Sequence, residues 1–433
     1  MSVARRVFGL SIGMGGIAAL TLLPAEFVRL GPGVWLGFCL AIWCIAWPAM
    51  LAEQMVLRIH AQPLVVALVE AARARHMRSL WLVSAALLVL VSLAMVCVAL
   101  VLAAWSVVAG AMYAVHPGEI SELLQSLRAT PTRLGWVLPA MLLIPAIWWQ
   151  LWPLTPRPKE SPTWAVAFGP AIGTGVVLVG WPLLLQQWPQ QAPLSWGAVI
   201  EGVGMGVPAC LVAMGVYYTQ VARRRAEDPE RAAPAAAVAL GLTLWTGALL
   251  GWGLWLAAPL DAPLSGVDSF LIGPLLAQWP RWLGVLLCLG LALALSWTAR
   301  LLLDISLHWL QWRWPSRRRV GVLLQCGVLS LAMLLALALG ADAADPRHDQ
   351  AMEGIQSLRR WGVPLTALLI MSVLIRGLPP APLLWVQQTH PAWAVARYLY
   401  WRYAVRLALL CILLRESGWG PILWRFWQTS THE

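Results

Sequence analysis

Charged residues are scarce in this sequence, and lysine is almost absent. Of the 433 residues, 11% are charged and 60% are hydrophobic, and Lys159 is the only lysine. Soluble globular proteins carry about 25% charged residues, so the composition excludes that class and predicts an integral membrane protein. The net charge of +11 does not indicate nucleic-acid binding, because the arginines cluster in short loops between apolar runs.

The sequence also lacks the patterns that indicate an enzyme, a disulfide framework or a metal site. It contains no HExxH, no phosphate-binding loop and no paired carboxylates at catalytic spacing. Its seven cysteines lie inside apolar runs without CxxC spacing, as small core residues do. We therefore expect neither an enzyme nor a cofactor, and a membrane-embedded enzyme is the least favoured hypothesis.

Long apolar runs are abundant, and each is long enough to cross a bilayer, which takes roughly 17 to 25 residues. We predict about eleven transmembrane helices and no large soluble domain. The predicted spans lie near 8–28, 34–57, 79–113, 135–152, 164–186, 196–222, 235–257, 280–311, 320–340, 361–376 and 393–414.

The basic residues of the connecting loops predict the orientation of these spans. With a cytoplasmic N-terminus, the inner loops hold 17 basic residues and the outer loops hold seven. Cytoplasmic loops carry the excess of arginine and lysine, so we predict a multi-pass protein of the cell inner (plasma) membrane with its N-terminus in the cytoplasm. The long loops near 114–134 and 341–360 contain short amphipathic stretches that could form helices at the membrane surface.

Two spans contain the residues least suited to an uninterrupted helix. The first span contains Gly13, Gly15, Gly16 and Pro24, and the sixth contains residues 204–208 (Gly-Met-Gly-Val-Pro). A backbone group without a hydrogen bond costs several kcal/mol in a bilayer, so a loosened helix should face protein, water or ligand. Such segments at corresponding places in two halves predict a transporter site at the bilayer midplane. The alternative is that these glycines serve close helix packing.

Several short motifs follow one another along nearly the whole chain. They are Gly31-Pro-Gly-Val-Trp35 with Pro48, Glu53 and Arg58, then Ala103-Ala-Trp-Ser106, residues 204–208, Gly215-Val-Tyr217 and Arg397-Tyr-Leu-Tyr-Trp-Arg-Tyr403. In order and spacing, these motifs resemble those of the neurotransmitter:sodium symporter family, whose fold is the LeuT type.

The resemblance implies an all-α integral membrane protein with a single transporter domain over 1–433. Two inverted five-helix repeats would cover about 5–190 and 195–378, with broken helices in spans 1 and 6, and an extra helix would follow at about 393–414. The substrate would lie between the broken helices, whose free N–H groups suit a carboxylate. The implied substrate-binding residues are Gly15, Gly16, Ala18, Ala99, Gly204, Gly206 and Pro208.

The chain departs from the family where the family binds sodium. The sodium-coordinating Asn maps near Ala19, and a Thr-Ser pair of the eighth helix maps to Ser296-Trp297. Hard cations need oxygen ligands, so we predict that transport does not depend on sodium in the family's usual way. The rival interpretation is that backbone carbonyls of the first span and Thr298 rebuild a sodium site. The coupling ion, whether sodium, a proton or none, is left open.

Span eight also carries a polar stripe. Ser296, Arg300, Asp304 and His308 recur every four residues, so they share one helix face. Ionisable groups at membrane depth usually face a cavity and pair with each other. We therefore take Ala19, Ser296, Thr298, Arg300 and Asp304 as ion or coupling residues. The alternative is that Arg300 is a structural tether and the others reach to the inner surface.

These observations predict a secondary transporter that moves a small amino acid, or a related amine or organic solute, by alternating access. A second hypothesis from another class is a transport-incompetent homologue that acts as a membrane partner or sensor. The predicted partners are a small-molecule substrate and the lipid bilayer, without nucleic acid, and the oligomeric state is left open. Glu53 is predicted to be structural, and Glu201 is interpreted as either a site residue or an ordinary interface residue.

Overall fold

The computed structural model describes eight stretches of the chain and separate positions between 282 and 306. The stretches are 32–46, 48–49, 78–115, 142–147, 195–211, 318–339, 346–377 and 395–417, the last without 397. The regular structure in this part of the chain is entirely helical. Its helices are α1 (Pro32–Ala41, continued by a π-helix at Ile42–Ala46), α2 (Arg78–Val115), α3 (Trp196–Leu211), α4 (Arg318–Leu339), α5 (Pro346–Ser357, continued by a π-helix at Leu358–Gly362), α6 (Val363–Gly377) and α7 (Arg406–Glu416, preceded by a π-helix at Tyr400–Val405).

These helices agree with the predicted spans wherever the structure describes them. Helix α2 matches the span predicted at 79–113 to within two residues at each end, and α4 matches 320–340 equally well. Helix α5 confirms a helix in the loop near 341–360. The predicted spans 8–28, 164–186 and 235–257 lie outside the described residues.

Helix α2 is the longest helix in the described part of the chain, with 38 residues. Its segment Leu82–Val108 is the one described stretch that is both long and apolar enough to cross a membrane, and Leu36–Ala46 and Cys326–Ala338 are shorter apolar helices. At about 1.5 Å per residue, α2 is far longer than the roughly 30 Å hydrocarbon core of a bilayer. Helices α4 and α6 both pack against it.

Hydroxyl groups in these apolar helices bond to their own backbone. Ser92 and Ser106 in α2 donate to the carbonyl four residues earlier at 2.6 and 2.7 Å, and Thr366 in α6 does so at 2.6 Å. Such bonds satisfy the hydroxyl proton without a partner helix. These polar side chains are therefore compatible with a membrane interior.

Helices α1 and α3 are in backbone-to-backbone contact. A Cβ on Gly37 would overlap the Val199 carbonyl oxygen, and a Cβ on Gly202 would overlap the Val34 carbonyl oxygen. The contact uses small residues at every fourth position of both helices, which is how membrane helices approach closely. These are Gly33, Gly37 and Ala41 in α1 and Ala198, Gly202 and Gly206 in α3.

The order of these contacts gives the relative direction of the helices. Gly33 lies beside Ala198, and Gly206 lies beside Ala41, so α1 and α3 are parallel. Spans 2 and 6 were predicted to run in the same direction, and the packing agrees. The π-helix that precedes α7 lies beside the π-helix that continues α1, where the Tyr400 hydroxyl donates to the Cys44 carbonyl oxygen. The other end of α7 lies near the start of α3, where Arg415 donates to the Ile200 carbonyl oxygen. Helix α7 is therefore antiparallel to both.

Candidate functional site

Helix α3 contains the segment that the sequence predicted to be unwound, residues 204–208. That prediction is wrong, because the chain is a continuous α-helix over Trp196–Leu211. The physical reason is the contact with α1: a Cβ on Gly206 would lie 2.8 Å from the Ala41 Cβ and 2.9 Å from the Phe38 carbonyl oxygen. Glycine here permits close packing, as the alternative interpretation held. The predicted break in span 1 lies outside the described residues.

Pro208 nevertheless removes one backbone hydrogen-bond donor from α3. Proline has no backbone N–H, so the Gly204 carbonyl lacks the donor that a helix normally supplies from four residues later. A carbonyl oxygen with a free lone pair in the middle of an apolar helix is a hydrogen-bond acceptor for a donor from elsewhere.

The Arg415 side chain from the end of α7 lies against this same part of α3. Its Nη1 donates to the Ile200 carbonyl oxygen at 3.0 Å, and its Nη2 bonds to Oε2 of Glu201. A Cβ on Gly204 would lie only 2.9 Å from Nη1. The missing side chain at Gly204 therefore makes room for the guanidinium group.

Two further charged residues join this pair. Oε2 of Glu416 lies 3.7 Å from Nε of Arg360, which belongs to the π-helix between α5 and α6. The Glu416 side chain is 14% exposed, whereas that of Arg360 is 45% exposed. We call Glu201, Arg360, Arg415 and Glu416 the four-charge cluster. It connects α3, α7 and the π-helix that continues into α6.

Glu416 lies just beyond the predicted span 393–414, and its titration reflects its place in the cluster. Burial raises the pKa of Glu416 above its ordinary value, while Arg360 and Arg415 oppose the rise and Glu201 adds to it. Desolvation disfavours the charged carboxylate, and neighbouring cations favour it. In this site desolvation is the larger effect.

This shift predicts a pH-dependent effect of Glu416→Gln. A carboxyl whose pKa is raised on folding stabilises the folded state below its ordinary pKa, and that contribution is lost as the pH rises through the raised value. Glutamine stays neutral, so the variant should be more stable than the wild type at pH 7.5, and the difference should disappear below pH 4.5, the ordinary pKa of glutamate. Thermal unfolding followed by tryptophan fluorescence at both pH values measures this. Glu353→Gln on α5, where the side chain is exposed, is the control, and a wild type that is the more stable protein at pH 7.5 would contradict the prediction.

The sequence pointed to only one member of the cluster. Glu201 was noted before the predicted break, whereas Arg360, Arg415 and Glu416 were not singled out. The Arg415–Glu201 pair joins residues 214 positions apart, which periodicity cannot reveal. One signal was available, because Arg415 and Glu416 are adjacent charged residues that follow the apolar run 407–414 of the same helix.

The other predicted site residues fall into two groups. Ala99 is fully buried in α2, near the buried Trp105 and Ser106 of the same helix. The Ser296 hydroxyl donates to the Ala292 carbonyl oxygen at 2.7 Å. Outside the described residues lie Gly15, Gly16, Ala18, Ala19, Thr298, Arg300 and Asp304. Within the described residues, no group of three or more His, Cys, Asp or Glu could hold a metal ion.

The helical architecture is that of the LeuT fold. The chain matches the crystal structure of MhsT in complex with L-phenylalanine with a TM-score of 0.75, over 96% of this chain and 99% of that one. The two sequences are 15% identical, so the match supports an all-helical LeuT-type fold and no more. No family model matches the sequence, and no curated protein matches it in a sequence search.

Proposed function

We propose that this protein is a secondary transporter that moves a small amino acid, or a related amine or organic solute, across the cell membrane by alternating access. The observation that carries the proposal is the match over 96% of the chain to MhsT, whose crystal structure is a complex with L-phenylalanine. A ligand of that size fits between helices of a bundle, where membrane transporters hold their substrates.

The substrate is proposed to lie between the first span, at Gly15, Gly16 and Ala18, and the middle of α3. The Gly204 carbonyl oxygen, which lacks the Pro208 N–H as a donor, suits an ammonium or amide donor of the substrate. Ala99 stands where the family has a tyrosine, and its methyl group leaves more room than a phenol ring. Amine-containing solutes are thus the favoured class.

Coupling is proposed to be independent of sodium. Ala19 and the Ser296-Trp297 pair offer a single side-chain oxygen, that of Ser296. An ion stripped of water must be compensated by close ligands, because its transfer to an apolar site costs many kcal/mol. Arg300 and Asp304, with Thr298 beside them, are the remaining coupling candidates.

The test measures ligand-induced thermal stabilisation of the purified protein with a panel of amino acids and amines, in sodium and in potassium buffers. At roughly 100 times its Kd, a ligand specific for the folded state stabilises it by about 2.7 kcal/mol. We expect the same rise in Tm in both buffers, and uptake of the same solute into proteoliposomes but not into empty liposomes. A rise seen only in sodium would contradict the sodium-independent mechanism.

The second candidate is a transport-incompetent homologue that acts as a membrane partner or sensor. The observation that favours it is the contact of Arg415 with Ile200, Glu201 and Gly204, since this contact fastens α3 to α7 beside the proposed substrate segment. In this case no solute would be taken up into proteoliposomes, whether or not a solute of the panel raises the Tm.

A further inference from the structure

A second arginine of interest lies at the opposite end of α7 from the four-charge cluster. The Arg402 guanidinium is 5.9 Å from the centre of the Tyr398 ring and 5.4 Å from that of the Tyr403 ring. Its Nη1 donates to the Tyr398 hydroxyl at 3.5 Å. These distances are within the range of cation–π contacts. The two rings therefore hold the guanidinium in place while it remains exposed.

No described carboxylate compensates the charge of Arg402. The acidic residues whose side chains the structure describes are Glu201, Glu353 and Glu416, and none of them pairs with Arg402. Glu201 and Glu416 belong to the four-charge cluster at the other end of α7. Among the side chains that the structure describes, Arg402 is thus an exposed cation that contacts aromatic rings and no carboxylate.

An exposed apolar stripe begins just before the π-helix at Tyr400–Val405 and continues into α7. Leu399 is 46% exposed, Tyr403 59%, Leu407 61% and Leu410 43%. Their spacing of four, four and three residues places them on one helix face. In a bilayer such a face contacts acyl chains. An amphipathic ligand with an anionic head and an apolar tail would match both the arginine and the stripe.

We propose that Arg402, Tyr398 and Tyr403 form a binding site for the phosphate of an anionic phospholipid, whose acyl chains lie along the stripe of Leu399, Leu407 and Leu410. Arginine presents planar N–H donors that suit phosphate oxygens, and tyrosine hydroxyls add further donors at the membrane boundary. The predicted orientation places the start of α7 at the cytoplasmic leaflet, where anionic lipids attract basic residues. The site is independent of the proposed transport.

The experiment is native mass spectrometry of the purified full-length protein with equal amounts of phosphatidylglycerol and phosphatidylcholine. We expect the wild type to retain about fivefold more of the anionic lipid, the ratio that corresponds to roughly 1 kcal/mol for one arginine near an anionic surface. Arg402→Gln should abolish the preference. Arg402→Lys should keep part of it, since lysine keeps the charge but not the planar donors. Arg360→Gln, with the same change of charge beyond the other end of α7, should keep it in full.

Two results would overturn the proposal. One is equal retention of the two lipids by the wild type, and this result does not depend on whether any variant folds. The other is an unchanged preference in Arg402→Gln. An added arm with inorganic phosphate separates the possible sources of the anion, because release of phosphatidylglycerol by millimolar phosphate would identify a free-phosphate site and contradict a lipid site.

Discussion

Gly202→Ala is expected to prevent the protein from reaching its native structure, although it adds a single methyl group. The new Cβ would overlap the Val34 carbonyl oxygen and would lie 2.9 Å from the Phe38 backbone nitrogen. Both obstacles are backbone atoms, so no side chain can rotate away. Helices α1 and α3 would have to separate along the whole interface, and we expect a loss of more than about 3 kcal/mol.

The chain supplies a matched control for this prediction. Gly197 belongs to the same helix, and a Cβ there would meet no atom within 4 Å. Alanine favours helix over glycine by up to about 1 kcal/mol, so Gly197→Ala should leave stability equal or slightly higher. Gly37→Ala, on the partner helix, should behave like Gly202→Ala.

The measurement is the yield of monodisperse protein after detergent extraction, together with its Tm. Gly327→Ala in α4 is a second control with open space around the glycine. Equal yield and equal Tm for Gly202→Ala and Gly197→Ala would contradict the close contact of α1 and α3. The comparison needs no knowledge of the substrate, so it tests the fold separately from the function.

The bounds of the helices could be predicted largely from sequence. The apolar run that starts after Arg78 predicted α2 almost to the residue, because a bilayer demands a long uncharged stretch. The glycines of α3 could not be interpreted from their own segment, since an unwound helix and a close helix contact both require glycine there. The distinguishing signal lies elsewhere, in the matching four-residue spacing of Gly33, Gly37 and Ala41.

The four-charge cluster could not be predicted from the sequence, for a different reason. Spans are read from local composition, whereas the Arg415–Glu201 pair depends on how distant helices pack. The π-helix that carries Arg360 was also not predicted, because one extra residue in a helical turn leaves no pattern in composition. Local rules thus predicted the helices but not the polar contacts between them.

Arg415→Gln is the second change for which we expect a large effect. The substitution removes the cation that Glu201 contacts, together with the donor to the Ile200 carbonyl oxygen. Breaking a buried ion pair by removing one partner costs about 3 to 5 kcal/mol. The two side chains are 36% and 27% exposed, so solvent reduces the loss, and we expect about 2 kcal/mol. Arg415→Lys should also destabilise the folded protein, because one ammonium group cannot contact the Ile200 carbonyl oxygen and the Glu201 carboxylate in the way that the two guanidinium nitrogens do.

Arg360→Gln makes the same change of charge within the same cluster. Arg360 is 45% exposed, and its Nε lies 3.7 Å from the Glu416 carboxylate, so the pair is weak and its loss should cost less than about 1 kcal/mol. We therefore expect the Tm of Arg415→Gln to fall clearly below that of Arg360→Gln. Equal Tm values for the two variants would mean that the four-charge cluster affects stability only through its net charge.

A double variant shows whether Arg415 acts through Glu201. If the contact is direct, Arg415→Gln and Glu201→Gln together should destabilise less than the sum of the single changes, since the second substitution removes the carboxylate that the first left unpaired. Effects that add would assign the role of Arg415 to its bond with the Ile200 carbonyl instead.

The double variant also tests whether the pair affects transport. If α3 must move away from α7 during the cycle, loosening the pair should raise the uptake rate while it lowers the Tm, whereas a pair that only holds the fold together should lower both.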